Sequence, residues 1–442
     1  MVKHAHLRGM ALARSLLVID EVHASDSYMR QVQRSLLKMH LDLGGYALLM
    51  SATLGAVARA EFLGGDMPPL EEAIAAPYPA VWVQGEACAR LAVGKGPDKA
   101  VRVEAVANWS GEIAAGRAIA AAREGARVLV IRNTVARAQE TFEAACALEP
   151  ELVLQVAGSP ALHHSRFAAE DRSVLDRAVE AVLGKEAERV GGCVVIGTQT
   201  LEQSLDIDAD LLISDLCPMD VLLQRIGRLH RHAGRNRPCG HDAARVVVLH
   251  PKSGLAPLMK KAENGLGSYV NGPLAGVYVD VPCLAATLAQ IGTHPIWDIP
   301  RMNRALVEAA THPEALAALV RDWGQDWETY RTRVTGKNLA EVGLAARVVL
   351  DRDAALPEEF PSDEQAITTR LGEGGPVYDL AAPVTGPFGR PVQRFALPAQ
   401  WARGLDGTET ATLEVQATGA VLSVGDKRFQ YGRSGLQKPE NG

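Results

Sequence analysis

Short apolar runs that end in polar residues recur along the first 250 positions of the chain. Leu16–Ile19 and Tyr46–Met50 are two such runs, and each predicts a buried strand of a parallel sheet. The segment between them predicts an amphipathic helix over residues 24–43. Its apolar positions are Met29, Val32, Leu36 and Leu37. The pattern therefore predicts one strand–helix–strand crossover with parallel strands.

The alternation of strands and helices continues from residue 95 to residue 250, which predicts a second parallel α/β lobe. The strands predicted for this lobe lie at 127–131, 152–156, 192–196, 211–214 and 245–249. Its predicted helices include Val135–Leu148 and a helix that ends near Leu183.

The remainder of the chain has a weaker pattern. Arg301–Val320 is rich in Ala and Leu and predicts a helix, and Trp323 and Trp327 have the spacing of one helix face. After residue 374, short alternating runs such as Ala411–Gln416 and Ala420–Val424 predict a small β-rich module.

These patterns together predict the α/β fold class and three blocks. The first lobe spans 1–85, the second lobe spans 95–250, and an α+β accessory domain spans 255–442. The Gly- and Pro-rich stretch 64–79 predicts the turn that leads out of the first lobe.

Composition narrows the class of protein. The 442 residues carry a net charge of −6, so a nucleic-acid site would have to be a local groove rather than bulk positive charge. The six cysteines include no CxxC pair, which favours reduced thiols in a cytoplasmic protein over a zinc site or a disulfide framework. No apolar run is long enough for a membrane span, so no membrane partner is expected.

Two polar groups follow the first two predicted strands. Asp20 and Glu21 come directly after the first, where an open α/β sheet places its ligands, and one or two carboxylates suit Mg²⁺. The alternative is an acidic helix N-terminus. Ser51 and Thr53 follow the second strand and could hydrogen-bond those carboxylates, or else cap a helix through 54–62.

Three arginines recur at every third position, at Arg225, Arg228 and Arg231. On a helix this spacing would place Arg228 and Arg231 on neighbouring faces, within reach of one polyphosphate. The alternative interpretation of the stretch is a solvated basic helix.

Four stretches in this order resemble the motifs of a superfamily 2 helicase of the DExH type. DEVH (20–23), SAT (51–53), TQTLEQSLDID (198–208) and QRIGRLHR (224–231) resemble motifs II, III, V and VI. HSRF (164–167), EQSLDID (202–208) and FPSDEQAITTRLGE (360–373) are similar to the helicase–nuclease of type I CRISPR–Cas systems. The resemblance implies two RecA-like lobes, the first truncated at its N-terminus.

The resemblance also implies roles at the matching positions. Asp20 would bind Mg²⁺ and Glu21 would activate the attacking water, while Ser51 and Thr53 would couple the nucleotide site to strand movement. Asp206 would lie near the ribose or motif VI. The residues implied to face the γ-phosphate from the second lobe are Gln224, Arg228 and Arg231, and the candidates for nucleic-acid contact are Thr134, Arg166 and Thr200.

The implied cofactors are ATP and Mg²⁺, and the implied partners are single-stranded DNA and an RNA-guided CRISPR surveillance complex. The implied activity is ATP-dependent translocation along, and unwinding of, target DNA. Two alternatives remain open: a DExH RNA helicase, against which the 360–373 match counts, and a non-catalytic nucleic-acid-binding or scaffold remnant.

Two expected parts are missing from the printed sequence. It contains no P-loop of the form GxxxxGK[ST], and His241-Asp242, its one His-Asp pair, is interpreted as polar loop residues rather than an HD nuclease site. We therefore expect the C-terminal portion of a longer protein, which by itself neither binds ATP tightly nor hydrolyses it.

Overall fold

The computed structural model describes residues 11–22, 27–86, 88–91, 98–202, 205–267, 276–347, 375–405, 407, 409–416 and 419–438. The chain forms two compact units. The first unit comprises the described residues within Met1–Ala92 and Val307–Gly374, and the second comprises those within Val93–Leu306 and Gly375–Gly442.

The secondary structure follows the alternating pattern through most of the chain. The helices are α1 (Ser27–Asp42), α2 (Ala56–Leu63), α3 (Leu70–Ala75), α4 (Gly111–Arg123), α5 (Val135–Leu148), α6 (Ala169–Leu183), α7 (Met219–Ile226), α8 (Val281–Thr293), α9 (Asn303–Thr311), α10 (Pro313–Trp323) and α11 (Gln325–Arg347). The strands are β1 (Leu16–Ile19), β2 (Tyr46–Leu49), β3 (Ala80–Val81), β4 (Ala89–Arg90), β5 (Lys99–Val106), β6 (Arg127–Ile131), β7 (Gln155–Val156), β8 (Ser159–Pro160), β9 (Cys193–Gly197), β10 (Leu211–Asp215), β11 (Ala244–Leu249), β12 (Ile296–Ile299), β13 (Val377–Thr385), β14 (Pro391–Ala396), β15 (Thr412–Gln416), β16 (Gly419–Val424), β17 (Lys427–Gly432) and β18 (Gly435–Gln437).

The core of the second unit is a six-stranded sheet in the order β12–β5–β11–β10–β6–β9. All neighbours are parallel except β12, which runs antiparallel to β5. Every residue of β6, β9 and β10 is buried, as expected for apolar strands covered on both faces. The predicted α/β fold class with a parallel sheet is confirmed.

The first unit contains a smaller sheet, in which β1 and β2 pair in parallel with Leu16 opposite Tyr46. The predicted pairing is confirmed, but the predicted burial is wrong, because Leu16 is 60% and Tyr46 is 71% exposed. Alternate side chains of a strand point to opposite faces. In the described part of the first unit, β1 and β2 have no further strand beside them, and one set of side chains stays exposed.

Helix α2 is capped by a residue from far along the chain. Its N-cap is Gly55, which has no side chain to offer, and the carboxylate of buried Glu308 accepts the Ala56 N–H at 2.8 Å instead. The alternative in which Ser51 or Thr53 caps this helix is therefore wrong. Glu314 likewise accepts the N–H of Leu70 at the start of α3.

Two predicted elements differ from the structure because of local backbone chemistry. The strand predicted at 152–156 is a single 3₁₀ turn and the short β7–β8 hairpin, whose turn uses Ala157 and Gly158 at positive φ. The helix predicted over Arg301–Val320 is divided at His312, because Pro313 cannot donate to the preceding turn.

Trp323 and Trp327 do not share a helix face as predicted. Gly324, at a φ of 100°, ends α10 between them, so Trp323 closes α10 and Trp327 lies in α11. Their ring centroids are 4.7 Å apart, and both side chains remain partly exposed.

The C-terminal segment of the second unit forms the predicted β-rich module. Strands β15–β18 make an antiparallel meander, and β13 pairs with β14. The module packs on α6, where the Tyr431 hydroxyl donates to buried Asp171 at 2.5 Å, and on β7, where Arg433 donates to the carbonyl of Val156 at 3.0 Å. Within the residues that the structure describes, no helix has the length and apolar character needed to cross a bilayer.

Candidate functional site

The acidic residues of the first unit lie where β1 ends. Asp20 and Glu21 are both exposed, and the Glu21 N–H donates to the Asp20 carboxylate at 2.8 Å. Glu21 has a φ of 54°, a left-handed conformation that a non-glycine residue adopts at a cost of roughly 1–3 kcal/mol and that clusters at functional sites. His23, the last residue of DEVH, lies outside the described residues.

The SAT turn follows β2 at the same edge of that sheet. The Val22 N–H donates to the Met50 carbonyl at 2.9 Å, and this bond joins the turn after β1 to the end of β2. The Ser51 hydroxyl accepts the Thr53 N–H at 3.3 Å, and Thr53 is buried. The two polar groups therefore lie at one edge, as the parallel arrangement predicts.

The arginine triplet of the second unit does not form a helix face. Helix α7 ends at Ile226, so Arg225 is helical whereas Arg228 and Arg231 lie in the segment that follows. The helical placement predicted for this stretch is therefore wrong. The backbone leaves the helix and pairs with the residue directly after motif V, where Ala209 and Leu229 form a parallel bridge.

The three arginines have different environments. Arg225 is fully buried and ion-paired to Glu202 at 2.7 Å. The Arg228 guanidinium donates to the carbonyls of Glu202 and Leu205, both at 2.6 Å. Arg231 is 40% exposed, and its Nε lies 2.7 Å from Asp206 Oδ1. Of the three, Arg231 is the most accessible to a ligand.

A buried ionic cluster lies beside this segment and was not anticipated from the sequence. Its carboxylates are Asp208 and Asp210, and its arginines are Arg189, Arg235 and Arg237. The one available signal was the acidic spacing of LDIDAD followed by a basic stretch.

Lys99 holds the end of helix α7. Its ammonium group donates to the carbonyls of Ile226, at 2.8 Å, and Leu229. Burial lowers the pKa of Lys99 to about 8. This lysine was not identified as a site residue from the sequence.

The three predicted nucleic-acid contacts are engaged within the protein. The Thr134 hydroxyl caps α5 by accepting the Arg137 N–H, and the Thr200 hydroxyl lies 2.8 Å from His163 Nδ1. The Arg166 guanidinium stacks 4.6 Å from the ring centroid of Trp401 in the β-rich module. Burial lowers the pKa of Arg166.

His164 is buried where the β-rich module packs, and we expect it to make folding sensitive to pH. The ring is buried between Phe167 and the module, with Nε2 at 3.1 Å from the Ser434 carbonyl, and burial lowers its pKa to about 3. In the unfolded chain His164 binds a proton near its ordinary pKa of 6.5, whereas in the folded protein it does so only near pH 3. Acid therefore favours unfolding between pH 6.5 and 3. We expect His164 to contribute a loss of about 2 kcal/mol between pH 6.5 and 5.

Urea unfolding of the wild type and of His164→Gln, each at about pH 6.5 and at about pH 5, measures this effect. The variant is expected to be less stable at neutral pH but to lose less of its stability on acidification. Equal acid sensitivity of the two proteins would contradict the assignment to His164.

Asp20 is the residue that fits the implied metal. It offers exposed carboxylate oxygen next to a second carboxylate, and Mg²⁺ typically takes one or two carboxylates together with phosphate and water oxygens. Among the described residues, no group of three or more His, Cys, Asp or Glu side chains could hold a metal ion by itself.

The comparisons with known proteins agree on one family. Residues 124–234 match the family model described as CRISPR-associated nuclease/helicase Cas3, C-terminal. The CRISPR-associated endonuclease/helicase Cas3 of Escherichia coli K12 is 35% identical over 262 residues, which cover 57% of this chain and 29% of that protein. The chain thus spans less than a third of this curated relative.

Two solved structures show the same fold. The crystal structure of T. fusca Cas3–ATP superposes with a TM-score of 0.68 at 23% identity, covering 98% of this chain and 55% of that one. A chain of a CRISPR RNA-guided surveillance complex, pre-nicking, gives a TM-score of 0.66 at 22% identity, covering 98% and 58%.

Proposed function

We propose that the chain belongs to the CRISPR-associated Cas3 nuclease/helicase family, to whose C-terminal portion it is similar, and that it supplies the ATP-driven motor of such an enzyme. The motor would move along single-stranded DNA and unwind target DNA. Recruitment by an RNA-guided surveillance complex is proposed with it, because a complex of that kind contains a chain of this fold.

The observation that carries this proposal is the accessible Arg231 of the second unit. Arg231 is half-exposed although the segment around it is anchored by buried bonds, and it is paired to Asp206 of motif V. An arginine held in this way can bind phosphate oxygens through its planar, bidentate guanidinium. A purely solvated basic helix would show neither the anchoring nor the departure from helical geometry.

The carboxylates of the first unit are proposed to act on the metal and on the attacking water. We propose that Asp20 contributes oxygen to Mg²⁺, which would neutralise phosphate charge, and that Glu21 orients and deprotonates the attacking water. Gln224, in the last turn of α7, would assist in binding phosphate. Ser51 and Thr53 would link these residues to movement along DNA.

The choice between DNA and RNA can be tested on the complete gene product. We expect its ATP hydrolysis to be stimulated strongly by single-stranded DNA and weakly by RNA of the same length and base order. Steady-state hydrolysis rates at saturating strand concentration measure this. Contacts to the phosphate backbone alone would bind DNA and RNA alike, so a difference between the two rates shows which nucleic acid the motor uses.

Glu21→Gln serves as the control for contaminating hydrolases, since it removes the proposed base while keeping the side-chain shape. Stimulation that survives Glu21→Gln would not belong to this protein. Stronger stimulation by RNA than by DNA would replace the proposal with an RNA helicase. Strand binding without any hydrolysis by the complete protein would favour a scaffold.

A further inference from the structure

We infer that Asp208 is a positioning residue for Arg231, an inference that rests on the proposed function of that arginine. The Arg231 N–H donates to Asp208 Oδ1 at 2.8 Å. The bond links the backbone of a half-exposed arginine to a fully buried carboxylate. Asp208 therefore acts on the backbone position of Arg231 and not on the guanidinium.

The bond closes an unusual turn. His230, directly before Arg231, has a φ of 46°, the left-handed conformation that favours glycine. The turn is held on both sides, because the His230 N–H donates to the Ala209 carbonyl at 3.0 Å and the next N–H donates to Asp208. Loss of the bond from the Arg231 N–H to Asp208 would leave the backbone of Arg231, and with it the orientation of its side chain, less well fixed.

Asp208 is itself held in place from several sides. Arg237 Nη2 donates to both of its carboxylate oxygens, at 2.9 and 3.0 Å, and Arg189 lies 3.2 Å away. Hydrogen bonds that involve ionised groups are short and strong. The acceptor for the Arg231 N–H is therefore pre-organised before any ligand binds.

Asp210 is a matched comparison within the same cluster. It is also buried, and its Oδ1 pairs with Arg237 at 2.6 Å and with Arg189. Its other oxygen accepts the Arg127 N–H at 2.8 Å, not that of Arg231. Substitutions at 208 and 210 both remove a buried carboxylate from Arg189 and Arg237. The substitution at 208 also removes the partner of Arg235, at 3.5 Å, and it alone removes the anchor of the Arg231 backbone.

The test compares Asp208→Ala and Asp208→Asn with Asp210→Ala and Asp210→Asn in the complete gene product. The kcat and KM of DNA-stimulated ATP hydrolysis are measured at a temperature at which circular dichroism shows every variant folded. We expect Asp208→Ala to lower kcat about 10²-fold with KM unchanged, since small misplacements of a catalytic group have effects of this size. Asp208→Asn keeps a carbonyl acceptor and should recover most of the loss, while both Asp210 variants stay near the parent.

Amide hydrogen exchange at residues 230–232 provides a readout that does not depend on hydrolysis. Faster exchange in Asp208→Ala than in Asp210→Ala supports the inference. Equal kcat losses at 208 and 210, or an Asn variant no better than Ala, would overturn it. If the parent protein does not hydrolyse ATP, the proposed function fails, and the exchange comparison alone decides whether Asp208 holds the Arg231 backbone.

Discussion

ATP hydrolysis by the complete gene product is expected to fall at least about 10³-fold when Arg231 is replaced by alanine, within the range found for arginines that neutralise the transferring phosphoryl group. The structural reason is that Arg231 is the exposed member of its triplet, whereas Arg225 and Arg228 are bound to other parts of the second unit. Affinity for single-stranded DNA should be retained. Hydrolysis rates and fluorescence anisotropy with labelled DNA measure the two effects separately.

Arg245→Ala is the matched control for charge. Arg245 lies exposed on β11 and has no place in the proposed chemistry, so its loss should leave hydrolysis close to that of the parent protein. If Arg231→Ala lowered DNA affinity as much as hydrolysis, Arg231 would be a DNA-binding or structural residue. If hydrolysis persisted, the motor proposal would lose the observation that carries it.

The largest effect on stability is expected from Arg132→Met. Arg132 and Asp215 are both fully buried, and Arg132 Nε lies 3.0 Å from each carboxylate oxygen. The guanidinium also donates to Thr141 and to the Trp109 carbonyl. Its removal leaves an uncompensated buried charge on Asp215, which destabilises a protein by about 3–5 kcal/mol.

Urea unfolding of the chain measures this loss, with Arg117→Met as the comparison. Arg117 pairs with Glu104 at 2.9 Å, but both side chains are more than a third exposed. Exposed pairs contribute about 0–1 kcal/mol, so this variant should stay near wild type. Equal midpoints for the two variants would show that the Arg132–Asp215 pair does not stabilise the second unit.

The elements with strong local signals could be predicted from the sequence. Helix α5 spans Val135–Leu148 as predicted, because Thr134 is a good N-cap and the apolar spacing is regular. Strands β6 and β9 were recognised because buried parallel strands are continuously apolar. The resemblance to CRISPR-associated helicase–nucleases could be recognised because four motifs occur in a fixed order.

The features that were missed depend on residues distant in sequence. QRIGRLHR has helical spacing, yet the helix ends at Ile226 because Leu229 pairs with Ala209 and Lys99 binds the carbonyls there. The burial of β1 was predicted wrongly because apolar composition does not show how many strands accompany it. The roles assigned to individual site residues remain predictions until the variants are measured.

The cap that Glu308 places on helix α2 has a consequence for synthesis on the ribosome. The Ala56 N–H has no capping carboxylate until Glu308, which lies 252 positions later in the chain, has been synthesised. At about 5–20 residues per second, the delay is roughly 10–50 s. During that interval α2 lacks its cap and α1 lacks helix α11, which packs on it in the folded unit. We therefore expect this stage of translation to be the one most dependent on chaperones.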